Sequence, residues 1–194
     1  LVPNMIGKWV QENQHVIDQN TTLWGGVGAW YVANRRWTDA VRHLGRHHGR
    51  EGVRPWMLLL LGRSLEALGN TAEANIAYRE AVQLEPDHTE AALRSRLAFN
   101  LAMDRMPAAG LVVAMDCSEA GKKMATVEDL ARLCVVESLA QLPKLEDAEE
   151  RQTLYNETLN SLMSLKKKDP TASIGTITKR FRRRYSEGSK IAEL

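Results

Sequence analysis

Three histidines carry the most chemical potential in this chain: His43, His47 and His48, in Arg-His-Leu-Gly-Arg-His-His. His43 and His47 stand four apart, a spacing that puts two imidazoles on one helix face and within reach of one metal ion. A zinc protease would carry Glu directly after the first histidine, and Leu44 stands there instead. Two imidazoles with no third ligand nearby in sequence make a weak site. Surface or packing histidines are the favoured reading, and no metal or cofactor is expected.

The two cysteines, Cys117 and Cys134, have no metal or redox spacing. They read as free, buried thiols, which favours a reducing, cytoplasmic compartment. Trp24-Gly25-Gly26-Val27-Gly28 is glycine-rich, yet it lacks the lysine and the strand-to-helix setting of a phosphate loop. No nucleophile, base and orienting group can be assembled from spacing. Enzymatic activity is not expected.

The third chemical feature is charge. From Lys166 onward there are nine basic against three acidic residues, while the whole 194-residue chain carries only +2. Phe181 and Tyr185 alternate with Arg182, Arg183 and Arg184, a pattern that could stack on bases and pair with phosphates. The same aromatics share a stripe with Ile174 and Ile177, so a terminal helix with buried aromatics and solvated arginines is the more economical reading. Nucleic-acid or membrane binding is disfavoured.

These residues need elements to hold them, and the elements repeat. With 44% hydrophobic and 26% charged residues the chain has the composition of a folded domain. Its longest apolar run, Trp56 to Leu61, is too short to span a membrane. From Pro55 to His88, Gly62, Leu65, Gly69, Ala74, Tyr78, Ala81 and Pro86 occupy the places of a 34-residue helical hairpin. Gly62 and Ala74 are small where two helices cross, Leu65 and Tyr78 fill the space between them, and Gly69 suits a left-handed helix end. Pro86 stops the second helix.

This stretch resembles the tetratricopeptide repeat family. Thirty-four residues upstream, Trp24, Gly28, Tyr31, Trp37 and Ala40 match, although His47 and Gly52 replace a small residue and the proline. Downstream, Phe99 and Ala108 match, while Ser95 and Arg96 stand where Leu and Gly belong. The resemblance implies an all-α solenoid of about three hairpins, 21–54, 55–88 and 89–122, in a single domain.

Around these repeats, residues 4–18 read as a helix, either the end of an earlier repeat or a cap. Thr126–Leu142 and Leu145–Leu165 read as a diverged hairpin, started by a Thr126/Asp129 capping box. Residues from 170 onward read as a basic capping segment, with a helix over 173–185. The chain opens on Leu1, so either a leader has been removed or the chain is part of something longer.

Family members bind along the first helix of each repeat. The implied groove positions are Thr22, Gly25, Ala29 and Val32, then Trp56, Leu59, Arg63 and Glu66, then Glu90, Leu93, Leu97 and Asn100. A slip of one or two residues in the third repeat would move Leu93 and Leu97 into the core. Relatives that grip the carboxylate end of chaperone tails use Lys, Arg and Asn here, and only Arg63 could serve, so that partner is rejected. The groove is small and apolar around Trp56, which suits an amphipathic helix or an extended apolar peptide, unless the protein's own helix fills it. The expected function is a non-enzymatic protein-interaction module. The alternatives are homodimerisation within a larger signalling or secretion protein, and a nucleic-acid or membrane adaptor working through the tail.

Overall fold

Three hairpins end their first helix with the same backbone bond. The amide of Arg36 donates to Tyr31, that of Asn70 to Leu65, and that of Met106 to Leu101, each at 2.9 Å. The residue before each donor is left-handed: Arg35 (φ 56°), Gly69 (φ 83°) and Arg105 (φ 67°). This geometry satisfies carbonyls that a helix end leaves open and turns the chain back on itself. Glycine adopts it freely, whereas an arginine pays about 1 kcal/mol.

The computed structural model describes residues 2–84 and 88–192; Pro86, read as a helix stop, lies outside them. Its contacts gather into two compact units, 1–87 and 88–194. The first contains α1 (Val2–Glu12), α2 (Gln14–Gln19), α3 (Thr21–Ala33), α4 (Trp37–Leu44), α5 (Pro55–Ala67) and α6 (Thr71–Gln83). The second contains α7 (Glu90–Met103), α8 (Pro107–Met115), α9 (Glu119–Lys123), α10 (Val127–Gln141), α11 (Ala148–Lys168) and α12 (Ile174–Ala192). The fold is all-α and built of helical hairpins. No described helix is long and apolar enough to cross a membrane.

In the first unit, α3 pairs with α4 and α5 with α6. A β-carbon on Gly28 would overlap the side chain of Leu44, and one on Gly62 would overlap the ring of Tyr78. Both large residues lie sixteen positions after their glycine, and both are fully buried. α4 is short: the chain leaves it at Leu44 through a 3-10 turn, Gly45–His47. The loop that follows is tied back, with Arg50 donating to the Asp18 carbonyl at 2.7 Å and Thr21 to the Glu51 carbonyl at 2.7 Å. The helix read over 4–18 is two helices, divided at Asn13, whose backbone (φ −114°, ψ 21°) leaves helical geometry.

In the second unit the repeat is displaced. Successive turn acceptors are Tyr31, Leu65 and Leu101, so the second interval is 36 residues and not 34. The counterpart of Gly62 is therefore Ala98, not Arg96, and the counterpart of Ala74 is Gly110, not Ala108. Ala108 is exposed, while a β-carbon on Gly110 would lie 2.5 Å from the Ala98 carbonyl oxygen. Ala114 stands sixteen residues after Ala98 and is buried in the same cluster. Where the small residue of the first helix gains a methyl, its partner has shrunk from Tyr to Ala.

α10 begins with the expected capping box in full, Thr126 and Asp129 exchanging both bonds. α9 was not anticipated, and α11 runs three residues past the expected Leu165. α12 extends to Ala192, beyond the expected end at Tyr185, because Lys179–Ser189 contains no helix breaker other than Gly188. Ile174, Ile177, Phe181 and Tyr185 are buried with Val135, Val136, Leu139 and Leu162 of α10 and α11.

Candidate partner-binding face

α5 starts cleanly because Pro55 occupies its first turn, where a missing amide costs nothing, after an extended Arg54. Trp56, Leu59 and Arg63 then follow at i, i+3 and i+7, so one face of the helix carries all three. Trp56 is half-buried, Leu59 is nearly covered, and Arg63 is exposed. Glu66, one turn further, is half-buried.

α3 supplies the adjoining surface, and Gly25 decides how close it comes. A β-carbon there would lie 2.7 Å from the Trp56 ring and 2.6 Å from the Met57 methyl. Gly25 is therefore covered: it seats the indole and is not open groove floor. The indole is held by its edge and keeps part of its surface in solvent. Ala29, one turn on, is half-buried, Val32 is buried, and Thr22 is exposed. The result is a rigid aromatic ledge with an aliphatic neighbour and a guanidinium at one end. Such a surface has the chemistry to bury an apolar side chain against the indole.

The third set of expected groove residues lies elsewhere. Leu93, Leu97 and Asn100 are buried within the second unit, as the 36-residue interval requires. By turn register, Ala92, Ser95 and Phe99 correspond to Trp56, Leu59 and Arg63. Ser95 and Phe99 are themselves buried: Ser95 donates to Asp129 at 2.8 Å, and Arg180 lies 4.7 Å over the Phe99 ring. Glu90 accepts from the Ser118 amide at 3.0 Å and from the Ser118 hydroxyl, and holds the start of α9. Burial pulls its carboxyl upward, but Ser118 and Arg94 outweigh that and leave it below the usual range.

His43 and the two cysteines resolve into packing. His43 donates through Nε2 to the Trp24 carbonyl at 2.8 Å and stacks on the Trp24 ring at 5.3 Å. Burial lowers its pKa against the opposing pull of that backbone bond, which favours the neutral ring. Cys117 and Cys134 are free, and burial raises both thiols. They are poor nucleophiles in that state. In α12 the aromatics are buried, whereas Arg182 and Arg183 are exposed.

A family model described as tetratricopeptide repeat matches residues 55–98. No curated protein and no solved structure matches the chain.

Proposed function

We propose, since residues 55–98 match a tetratricopeptide-repeat model and such repeats generally mediate protein–protein interaction, that the α3/α5 face holds an apolar or amphipathic segment of a partner protein. Trp56 carries this reading. It is a large aromatic fixed along one edge by Gly25 and still partly open, so its rotamer cost on binding is already met. A partner side chain would bury against the indole, Ala29 would extend the apolar floor over the nearly covered Leu59, and Arg63 would take a carbonyl or carboxylate. Catalysis has no part in this function.

The test compares columns bearing wild-type protein and Trp56→Ala, challenged with nuclease-treated extract. A protein retained by the first and lost from the second supports the face, with a loss of about 2 kcal/mol in the purified pair. Identical retention, with circular dichroism unchanged, would refute it.

A second reading, self-association, draws on α8. Ala108, Val112 and Met115 share one helix stripe, and all three are exposed. Sedimentation at rising concentration decides it, since a constant monomer mass excludes pairing through this stripe.

A further inference from the structure

His47 and His48 are neighbours in sequence, and in a continuous helix their side chains would point roughly 100° apart. The helix does not continue here. Arg46 departs from helical geometry (φ −86°, ψ 25°) and His48 is extended (φ −59°, ψ 130°). The two rings are thereby brought to 4.0 Å between centroids. α6, from the following hairpin, presents Glu80 to the same point. One donor atom from each of His47, His48 and Glu80 lies within 4.8 Å of the other two.

The polarity of His47 is set by its own turn. Its Nδ1 is 3.1 Å from the Leu44 carbonyl, which can only accept, so Nδ1 carries the proton. In the neutral ring Nε2 is then a lone pair, and it faces the Glu80 Oε2 at 2.7 Å. Such a pair closes over a shared proton, and Zn²⁺, with tetrahedral bonds of about 2 Å, would hold the two atoms about 3.3 Å apart, so the ion takes the proton's place as the Glu80 carboxylate draws back. A backbone carbonyl holding the far nitrogen is also the arrangement that orients histidine ligands in metal sites. His47 is mostly covered, with its side chain 11% exposed, while His48 is open to solvent and leaves an entry path. The ligands border a cleft of about 210 Å³ between the two hairpins, walled by Leu61, Leu65 and Ile76.

We propose that His47, His48 and Glu80 form a site for a divalent transition metal, Zn²⁺ in the first instance, that clasps the first hairpin to the second. Two imidazoles and a carboxylate suit Zn²⁺ and its neighbours, and exclude the all-oxygen preference of Mg²⁺ and Ca²⁺. Three protein ligands leave one tetrahedral position for water. The ion would stabilise the hairpin pair that carries the partner-binding face, without touching that face. His43 takes no part, because its Nε2 is committed to Trp24.

The test is calorimetric titration of chelator-treated full chain with ZnCl2 at about pH 7.5, where an ordinary histidine is neutral, alongside thermal melts. The expected result is a single Zn²⁺ per chain, a raised melting temperature, and no response to MgCl2. His48→Ala alters an exposed side chain and keeps the fold, and Glu80→Gln removes the carboxylate. Each should weaken binding roughly tenfold or more, whereas His15→Ala should not. Absence of saturable Zn²⁺ binding overturns the proposal. So does binding that survives both His48→Ala and Glu80→Gln, or an equal response to Mg²⁺.

Discussion

The hydroxyl of Ser95 donates to the buried carboxylate of Asp129 at 2.8 Å, joining α7 to the start of α10. The same carboxylate caps its own helix through Thr126 and accepts from Arg132 at 2.9 Å. Ser95, a defect when judged against the repeat pattern, is thus the residue that anchors the third hairpin to the element after it. Asp129→Ala removes the cap and a buried charge partner together, and should cost about 3 kcal/mol in urea unfolding. Ser95→Ala should cost about 1 kcal/mol. Because the two share one bond, the double variant should lose less than the sum; strict additivity would show that the bond contributes nothing.

The fit of Gly62 against Tyr78 makes a sharper prediction, because two effects of opposite sign compete. Gly62→Ala improves helix propensity by about 1 kcal/mol. Its methyl would overlap the Tyr78 ring, an overpacking that costs about 2 kcal/mol. The single variant should therefore be destabilised. In a Tyr78→Ala background the overlap is gone, and the same substitution should stabilise. Denaturant midpoints of the four proteins check the change of sign.

The contrast between these two cases shows what was legible in the sequence. The second hairpin could be read because its turn uses Gly69 and its crossing uses Gly62, residues whose types betray their geometry. The third hairpin uses Arg105 in a left-handed turn and Ala98 at the crossing, and neither type signals its role. A slip of one or two residues could be suspected from Ser95 and Arg96, with Leu93 and Leu97 then in the core, but its size and the burial of Asn100 were not legible for that reason. Helical spacing alone puts Trp56, Leu59 and Arg63 on one face of α5. That Gly25 lies beneath the indole was not legible, since it depends on how α5 approaches α3. The convergence of Glu80 with His47 and His48 was equally out of reach, because it joins residues 33 apart through a broken helix end.

Arg105 gives a stability prediction of its own. It is exposed, and its left-handed conformation is one that glycine adopts without steric cost. Arg105→Gly relieves that strain but adds freedom to the unfolded chain. The first effect is the larger, and the variant should be more stable by about 0.5 kcal/mol. A lowered melting temperature would mean that Arg105 makes side-chain interactions worth more than its backbone strain.

His43 should make stability depend on pH below neutrality. Burial lowers its pKa from 6.5 in the folded chain, against the pull of the Trp24 carbonyl. Above 6.5 the ring is neutral in both states and costs nothing. As pH falls through 6.5, the unfolded chain takes up a proton that the folded chain refuses, so stability declines until the folded ring is protonated too. Urea midpoints measured from about pH 8 down to pH 5 should fall more steeply for wild type than for His43→Phe. Parallel slopes would place the pH dependence elsewhere.

The basic C-terminal helix separates a packing role from a charge role. Phe181 is fully buried and meets Tyr155 and Tyr185 at 5.7 and 5.3 Å between ring centroids. Tyr185 also donates its hydroxyl to the Arg151 carbonyl of α11. Phe181→Ala should therefore cost about 3–4 kcal/mol and expose the end of the second unit. Arg182 and Arg183 are exposed, and replacing both with Gln should change stability by less than about 0.5 kcal/mol. If the helix served a polyanion, the arginine pair would control salt-sensitive binding, and the aromatic would have to leave the core to stack on a base. An electrophoretic shift with mixed-sequence RNA at low salt distinguishes the two roles. No shift for wild type, together with the predicted stability difference, identifies α12 as the element that closes the second unit.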